Sequence, residues 1–164
     1  MKLFHTCTAL LLAALAACAT VEREPASPSY YVMRHLQKAD GTDPGLTEEG
    51  RRHAERLVTL LAGDPPAAVY ASSTRRAQET AAPIAGRLGL ATKSYDPRDI
   101  DGLVGRVKAE PGTVLVVGHS NTVPDIVEKL GGVRPAPLAE TDYGDVWRIS
   151  RAGGATEKKG LGEG

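Results

Sequence analysis

The residues best suited to chemistry in this chain are an arginine and a histidine that stand side by side. Arg34 and His35 directly follow the apolar, β-prone run 30–33, which predicts a buried strand. The polar residues 37–41 end that strand, so both side chains can turn towards the same group. A guanidinium beside an imidazole can bind a phosphate group, and open α/β sheets bind ligands at the carboxyl ends of their strands.

The same arrangement recurs after two further predicted strands. Arg75 and Arg76 follow a strand predicted at 67–71. His119 follows the run 113–117, which is apolar throughout, as expected of a central parallel strand covered on both faces. The second and third groups also lie near predicted helix N-termini, whose free N–H groups favour anions. Three such strand ends favour one phosphate site over the alternative interpretation, charges that only solvate loop ends.

Alternating strands and helices must position these basic residues. Apolar residues recur with helical spacing in four segments, namely 54–61, 77–88, 100–107 and 123–130. Between and after them lie a weak edge strand at 90–95 and a last strand at 145–150, in addition to the three strands above. This alternation predicts an α/β fold, a three-layer sandwich with a mainly parallel sheet.

Length and charge narrow the classes of protein to consider. The chain has 164 residues, enough for one domain with a sizeable core. Lys and Arg number 20 and Asp and Glu also number 20, so net charge gives no reason to expect nucleic acid as a partner. Anion binding must therefore come from local clusters. Cys7 and Cys18 both precede the predicted domain, which leaves it without a cysteine pair for a disulfide.

The amino terminus predicts an export signal. Lys2 precedes the apolar run 9–17, which is too short to span a bilayer as a helix. Leu15-Ala16-Ala17-Cys18 is similar to a bacterial lipobox, in which the signal is cut before a cysteine that then carries a lipid anchor. We therefore predict a lipoprotein signal peptide at 1–17 and lipidation of Cys18. An ordinary signal peptide with a chance cysteine is the alternative.

The rest of the chain divides into three parts. Residues 18–28 contain prolines, serines and charges without an apolar period, which predicts a flexible tether. The domain is predicted at 29–150, and residues 151–164, rich in Gly and Lys, are predicted to form a frayed tail. Because Ala19 follows the cysteine, we expect the protein in the bacterial cell envelope, on the outer membrane and facing the periplasm.

On four motifs, the chain resembles the histidine phosphatase superfamily, also called phosphoglycerate-mutase-like. The motifs are Arg34-His35, the Leu-Thr-Glu-Glu-Gly segment 46–50, the segment 72–80 and Gly118-His119-Ser120. They stand in order at suitable spacing and cover essentially the whole predicted domain. The short chain looks most like the bacterial phosphohistidine phosphatases of this superfamily. The resemblance implies a phosphoglycerate-mutase-like fold.

The resemblance also implies a role for each motif residue. His35 corresponds to the nucleophile that becomes phosphorylated, while Arg34 and His119 belong to the phosphate pocket. In the segment 72–80 the family's arginine stands before alanine and four residues before threonine, which selects Arg76 and leaves Arg75 facing solvent. No metal and no other cofactor is expected, because fixed guanidinium groups can neutralise the transferred phosphoryl group.

The chain departs from the family in one respect. Larger members carry an acidic residue between the second arginine and the second histidine, which protonates the leaving oxygen. The corresponding region, 95–101, has no clear match and offers Asp96, Asp99 and Asp101 as candidates, with Asp99 and Asp101 preferred. Each has an alternative interpretation as a cap or turn residue, and Asp99 before Ile100 suits a helix N-cap well.

The function predicted from these observations is that of a metal-independent phosphatase. It would hydrolyse a phosphomonoester or phosphoramidate of a small molecule or phosphoprotein through a phosphohistidine, while a lipid anchor holds it on the membrane. Mutases of the family carry insertions for which this chain has no room, which favours hydrolysis. The alternative is a catalytically weak lipoprotein that binds phosphorylated ligands or partner proteins on the same scaffold.

Overall fold

Strands and helices alternate along most of the chain in the computed structural model, which describes residues 27–162. The strands are β1 (Ser29–Arg34), β2 (Ala68–Ser72), β3 (Thr92–Tyr95), β4 (Val114–Gly118), β5 (Asp145–Ser150) and β6 (Thr156–Gly160). The helices are α1 (Glu48–Leu60), α2 (Arg75–Leu88), α3 (Ile100–Ala109) and α4 (Val123–Lys129). The predicted signal peptide, the lipidation site Cys18 and most of the tether lie outside the described residues.

All six strands form one sheet in the order β3-β2-β4-β1-β5-β6. The first four strands of this order are parallel, and β5 and β6 are antiparallel to their neighbours. The central strand β4 lies between β1 and β2, with Arg34 in register with Gly118 and Ala71 in register with Val117. This topology brings the carboxyl ends of the three strands that precede the basic residues to one edge.

Helices cover both faces of the sheet. On one face α1 and α2 bury Leu57 and Ile84 against strand residues that include Met33 and Val117. On the opposite face α3 and α4 bury a second apolar cluster against Tyr30, Val32, Val114 and Val116, among others. Consecutive residues of β1 and β4 thus face opposite clusters, which explains why both strands are apolar throughout. The predicted α/β sandwich with a mainly parallel sheet is confirmed, and it matches the phosphoglycerate-mutase-like fold.

The segment 46–50 begins α1 and also holds the chain that follows β1. The Thr47 hydroxyl accepts a hydrogen bond from the Gly50 backbone N–H at 3.0 Å, the usual action of an N-cap residue. The Thr47 backbone N–H in turn donates to the Gln37 carbonyl at 2.9 Å. A side chain at Gly50 would bring its Cβ into steric overlap with that same carbonyl oxygen, so only glycine fits there.

The predicted frayed tail at 151–164 is corrected by the structure, because residues 156–160 form the edge strand β6 against β5. Gly154 lies in the connecting turn at φ +68°, a conformation that glycine adopts freely. Lys158 and Lys159 lie on this edge, and such charges protect edge strands from pairing with other chains. A composition of Gly and Lys therefore suits an edge hairpin as well as a loose tail.

No helix among the described residues is long and apolar enough to cross a membrane.

Candidate active site

The strand ends bring together the four residues predicted from the sequence to form a phosphate site. Arg34 ends β1 and His35 follows it, while His119 directly follows β4. Arg76 lies in the first turn of α2 and approaches the same point, with its Nη2 atom 3.5 Å from His119 Nδ1. The two imidazole rings meet edge to face, with centroids 5.3 Å apart. Arg34, His35 and His119 are all buried.

One nitrogen of His35 is fixed by the backbone and the other is free to react. The Nδ1 atom lies 2.9 Å from the Leu36 carbonyl oxygen. Because a carbonyl oxygen can only accept, Nδ1 must carry the proton in this contact. The neutral ring therefore presents an unprotonated Nε2, which has the lone pair that a nucleophile needs.

A chain of hydroxyl groups orients His119. Its Nε2 atom lies 2.8 Å from the Ser72 hydroxyl oxygen, which lies in turn 3.1 Å from the Thr74 hydroxyl. The His119 backbone N–H donates to the Thr122 hydroxyl at 3.0 Å. Thr122 stands at the N-cap position of α4, but its side chain makes no cap bond to that helix and serves His119 instead.

Both imidazoles are neutral at pH 7. Burial lowers the pKa of His35 to about 4, against the opposing effect of its bond to Leu36. The charges of Arg76 and Arg34, and the repulsion from His119 if both rings were protonated, act in the same direction as burial. Burial, followed by the charges of Arg76 and Arg34, lowers the pKa of His119 to about 4 as well. An anion bound among these groups reverses part of this effect, since a negative charge favours the imidazolium form.

Two N–H donors in the site have no acceptor. The Nε atoms of Arg34 and Arg76 are buried, and neither has a hydrogen-bond partner among the described residues. A buried donor left unpaired costs roughly 1–3 kcal/mol, more when the group is charged. Two such donors beside two neutral imidazoles form a site for an oxyanion with several acceptor oxygens. In residues 27–162 no group of three or more His, Cys, Asp or Glu side chains is arranged to hold a metal.

The structure separates the two neighbouring arginines of α2 as the sequence predicted. Arg76 contacts His119, whereas the Arg75 side chain is exposed and its Nε donates to Glu79 at 2.6 Å. The Glu79 carboxylate also accepts the Leu46 backbone N–H at 2.7 Å, which ties the segment before α1 to α2. Arg75 therefore supports the scaffold from outside the site.

A threonine of the segment 72–80 fixes the chain beside the histidine. The Thr80 hydroxyl accepts the Leu36 backbone N–H at 3.0 Å and donates to the Arg76 carbonyl at 2.8 Å. It thereby joins the backbone after His35 to the backbone of Arg76. Arg76 and Thr80 are four residues apart, about one turn of α2. This turn connects the chain after His35 to Arg76.

The acid candidates of the 95–101 region are engaged elsewhere. Asp99 caps α3 by accepting the Gly102 backbone N–H at 2.9 Å, as its alternative interpretation held. Asp101 is exposed and pairs with Lys129 at 2.6 Å, and Asp96 forms a surface pair with Arg98. None of the three makes a hydrogen bond or ion pair with Arg34, His35, Arg76 or His119.

Sequence reasoning missed the loop of residues 139–143, which contacts Arg34 from more than 100 positions away along the chain. Arg34 Nη1 donates to the carbonyls of Ala139 at 2.8 Å and Asp142 at 3.3 Å. Arg34 Nη2 contacts Glu140 Oε2 at 3.1 Å and the Tyr143 hydroxyl at 3.4 Å. The Tyr143 ring lies 4.2 Å from the guanidinium carbon and 6.0 Å from the His35 ring. The loop has no helical or strand period, so nothing local in the sequence pointed to it.

Comparison with known proteins supports the fold and the superfamily. A family model of the histidine phosphatase superfamily (branch 1) matches residues 31–99, a range that includes Arg34, His35 and Arg76. No curated protein matches the sequence.

Several solved structures share the fold. The protein histidine phosphatase SixA with tungstate is 19% identical, with 80% of this chain and 94% of that chain covered and a TM-score of 0.59. A putative phosphohistidine phosphatase SixA from Nakamurella multipartitia is 22% identical, with 82% and 96% covered and a TM-score of 0.58. A mycobacterial glucosyl-3-phosphoglycerate phosphatase with inorganic phosphate is 16% identical, with 81% and 96% covered and a TM-score of 0.61. At these identities the likeness establishes the fold, and with the family match it supports the histidine phosphatase superfamily.

Proposed function

We propose that the protein is a phosphatase that hydrolyses a phosphomonoester or phosphoramidate through a phosphohistidine at His35. One observation carries this proposal: a neutral imidazole with a free Nε2 lies beside buried, unpaired N–H donors of Arg34 and Arg76. The donors suit the oxygens of a phosphoryl group, and the imidazole suits attack on its phosphorus. The family match supports the same class of reaction.

In the first step His35 Nε2 attacks phosphorus, forms the N–P bond and displaces the leaving oxygen or nitrogen. The Arg34 and Arg76 guanidinium groups neutralise the non-bridging oxygens, a contribution that grows as charge spreads over them in the transition state. His119 stands beside Arg76 and, on protonation, adds a further donor. The Leu36 carbonyl holds the Nδ1 proton and so stabilises the ring as positive charge develops on it.

In the second step water attacks the phosphohistidine, the N–P bond breaks and inorganic phosphate forms. His35 returns to its neutral form with the proton still on Nδ1. Dividing hydrolysis into two displacements at the same phosphorus lets one set of donors stabilise both transition states. The positive charges come from arginine, so we propose that the reaction needs no metal ion.

Both substrate classes are kept in the proposal because the similar structures include both. One is described as a protein histidine phosphatase, which acts on a phosphoramidate, and another as a phosphatase of glucosyl-3-phosphoglycerate, a phosphomonoester. A site built around the phosphoryl group alone suits either class.

We also propose that the enzyme works in the bacterial cell envelope, anchored through lipid on Cys18. The support is the lipobox-like sequence 15–18 and the Pro- and Ser-containing stretch after it, both in the sequence alone. A lipid anchor followed by a short tether would hold the domain close to the membrane surface.

The test is turnover of 4-nitrophenyl phosphate by the purified domain with and without a metal chelator. We expect hydrolysis that the chelator leaves unchanged and that His35→Ala abolishes. His119→Ala should slow the reaction by about 100- to 1,000-fold, since it removes one donor to the phosphoryl group. Binding of phosphate without any turnover would favour the binding protein over the enzyme, and loss of activity with chelator would contradict the metal-free mechanism.

A further inference from the structure

The reaction proposed above requires a proton donor on the open side of the site. Phosphoryl transfer places the attacking and leaving atoms roughly in line on opposite sides of phosphorus. His35 is 3% exposed and attacks from the floor of the site, so the leaving oxygen must point outward to solvent. A group that protonates this oxygen must therefore lie on the rim and have a side chain free to reach over the phosphoryl group.

Among the described residues, two carboxylates pair with the arginines of the site. Glu140 Oε2 lies 3.1 Å from Arg34 Nη2, and Asp43 Oδ1 lies 3.7 Å from Arg76 Nη1. Both are on the exposed side, with the Glu140 side chain 79% exposed and that of Asp43 57% exposed. The 95–101 aspartates make no such contact, so the choice of donor lies between these two groups.

Asp43 caps the start of α2. Its Oδ1 atom accepts the Arg75 backbone N–H at 3.1 Å, at the first residue of α2, where the Thr74 side chain makes no cap bond. This contact fixes an Asp43 oxygen at the positive end of the helix, as an N-cap acceptor does. Asp43 is therefore engaged in closing α2 and is held back from reaching over the phosphoryl group.

Glu140 has the opposite character. Within residues 27–162 it accepts no hydrogen bond from a backbone N–H, and its second contact is with the Ser120 hydroxyl at 3.3 Å, one residue after His119. It thus bridges the two sides of the site from a loop outside the helices and strands, on a side chain long enough to shift towards a substrate.

We propose that Glu140 is the general acid and base of the reaction, a role that rests on the phosphatase function proposed above. In the first step the His35–phosphorus bond forms, the bond from phosphorus to the leaving group breaks, and the Glu140 carboxyl proton passes to the leaving oxygen. This releases a neutral alcohol and leaves Glu140 as a carboxylate. In the second step that carboxylate takes a proton from the attacking water as the N–P bond breaks, which restores the acid and releases phosphate.

The test compares Glu140→Gln with Asp43→Asn on aryl phosphates whose leaving groups differ. Both amides keep an acceptor oxygen and the shape of the side chain, and Glu140 is exposed enough for folding to be unaffected. With phenyl phosphate, whose leaving group is poor, Glu140→Gln should lower kcat by about 100-fold or more. With 4-nitrophenyl phosphate, which releases a stable anion, the same variant should lose less than about 10-fold in the phosphorylation step. Asp43→Asn should change both substrates by the same factor.

The results separate this inference from the function beneath it. If the wild type hydrolyses 4-nitrophenyl phosphate but Glu140→Gln slows the phosphorylation step by the same factor on both substrates, Glu140 only positions Arg34 and the inference is wrong. A faster variant would mean that the carboxylate blocks Arg34, which also overturns it, as would a leaving-group dependence in Asp43→Asn. If the wild type forms no phosphohistidine and hydrolyses neither substrate, the proposed function itself fails.

Discussion

The candidate site contains two buried histidines that remain neutral among positive charges. Burial and the neighbouring arginines hold the pKa of both His35 and His119 at about 4, so the lone pair of His35 Nε2 is available across the physiological range. The same arrangement includes two buried arginine N–H donors that have no acceptor among the described residues. The oxygens of a bound phosphoryl group would supply acceptors for both.

This neutrality predicts a stability that falls in mild acid. Below the ordinary histidine pKa of 6.5, both histidines become protonated in the unfolded chain but stay neutral in the folded protein. The unfolding free energy therefore falls as the pH is lowered from 6.5 towards about 4. Each imidazole contributes at most about 3 kcal/mol to this loss. Urea unfolding of the wild type and His119→Gln at pH 7 and pH 4.5 measures it. The variant should lose less stability on acidification, and an identical loss would contradict the pKa assignment.

The arginine pair of α2 gives a second prediction at the scale of the residue. Arg76→Ala removes a guanidinium from the site and should lower kcat/KM for 4-nitrophenyl phosphate by about 100-fold or more. Arg75→Ala removes only a surface partner of Glu79 and should stay within several-fold of the wild type. The two variants differ by one position in the same helical turn, so each controls for the other. A larger loss from Arg75→Ala would reverse the assignment.

Among the elements of the fold, the start of α1 is coupled to the chain that follows His35. Gly50→Ala would drive Cβ into the Gln37 carbonyl, two residues beyond His35, and should cost about 1–3 kcal/mol of unfolding free energy with a fall in activity. Gly86 is an exposed position of α2, where an added Cβ would meet no other part of the described structure within 4 Å, so Gly86→Ala should stabilise the protein by about 0.5–1 kcal/mol. Urea unfolding measures the change in unfolding free energy for each variant. It shows whether the steric contact at Gly50 outweighs the gain in helix propensity that alanine brings at both positions. A neutral Gly50→Ala would show that α1 can shift freely.

Elements with a strong local signal were predictable from the sequence. The uninterrupted apolar residues of β1 and β4 indicate strands covered on both faces, and parallel pairing then brings their carboxyl ends together. The start of α1 was equally clear, because Thr47 caps it as its residue type and position suggest. The cap of α2 could not be predicted, because its acceptor is Asp43, more than 30 residues before the helix. The Thr74 side chain at the N-cap position makes no cap bond.

At the scale of the whole molecule, the missing information was long-range contact. Arg34 meets the loop of residues 139–143 only because β5 returns beside β1, and no local period encodes that meeting. The sequence therefore offered acid candidates only in the 95–101 region, where Asp99 caps α3 and Asp96 and Asp101 form surface ion pairs. The edge strand β6 was missed for a related reason, because its pairing with β5 outweighs a composition typical of loose tails.

The full-length chain carries a prediction about location. In a bacterial host, Cys18→Ser should release the protein from the membrane fraction, because the several acyl chains of a lipoprotein cysteine anchor firmly and their loss leaves only the tethered domain. Fractionation with phosphatase assays of both fractions measures this, with Cys7→Ser as the matched control that should stay membrane-bound. Membrane retention of Cys18→Ser would contradict lipid attachment at this position.

The central claim is that His35 carries the phosphoryl group, and trapping that group tests it most directly. Protein quenched in alkali during turnover of 4-nitrophenyl phosphate should carry an acid-labile, base-stable phosphate on His35. Because Nδ1 is bound to the Leu36 carbonyl, the phosphate should be on Nε2, which isomer-resolved phosphorus NMR distinguishes. His53→Ala should keep the label and His35→Ala should lose it together with turnover. A label on another residue, or turnover that survives His35→Ala, would contradict the account.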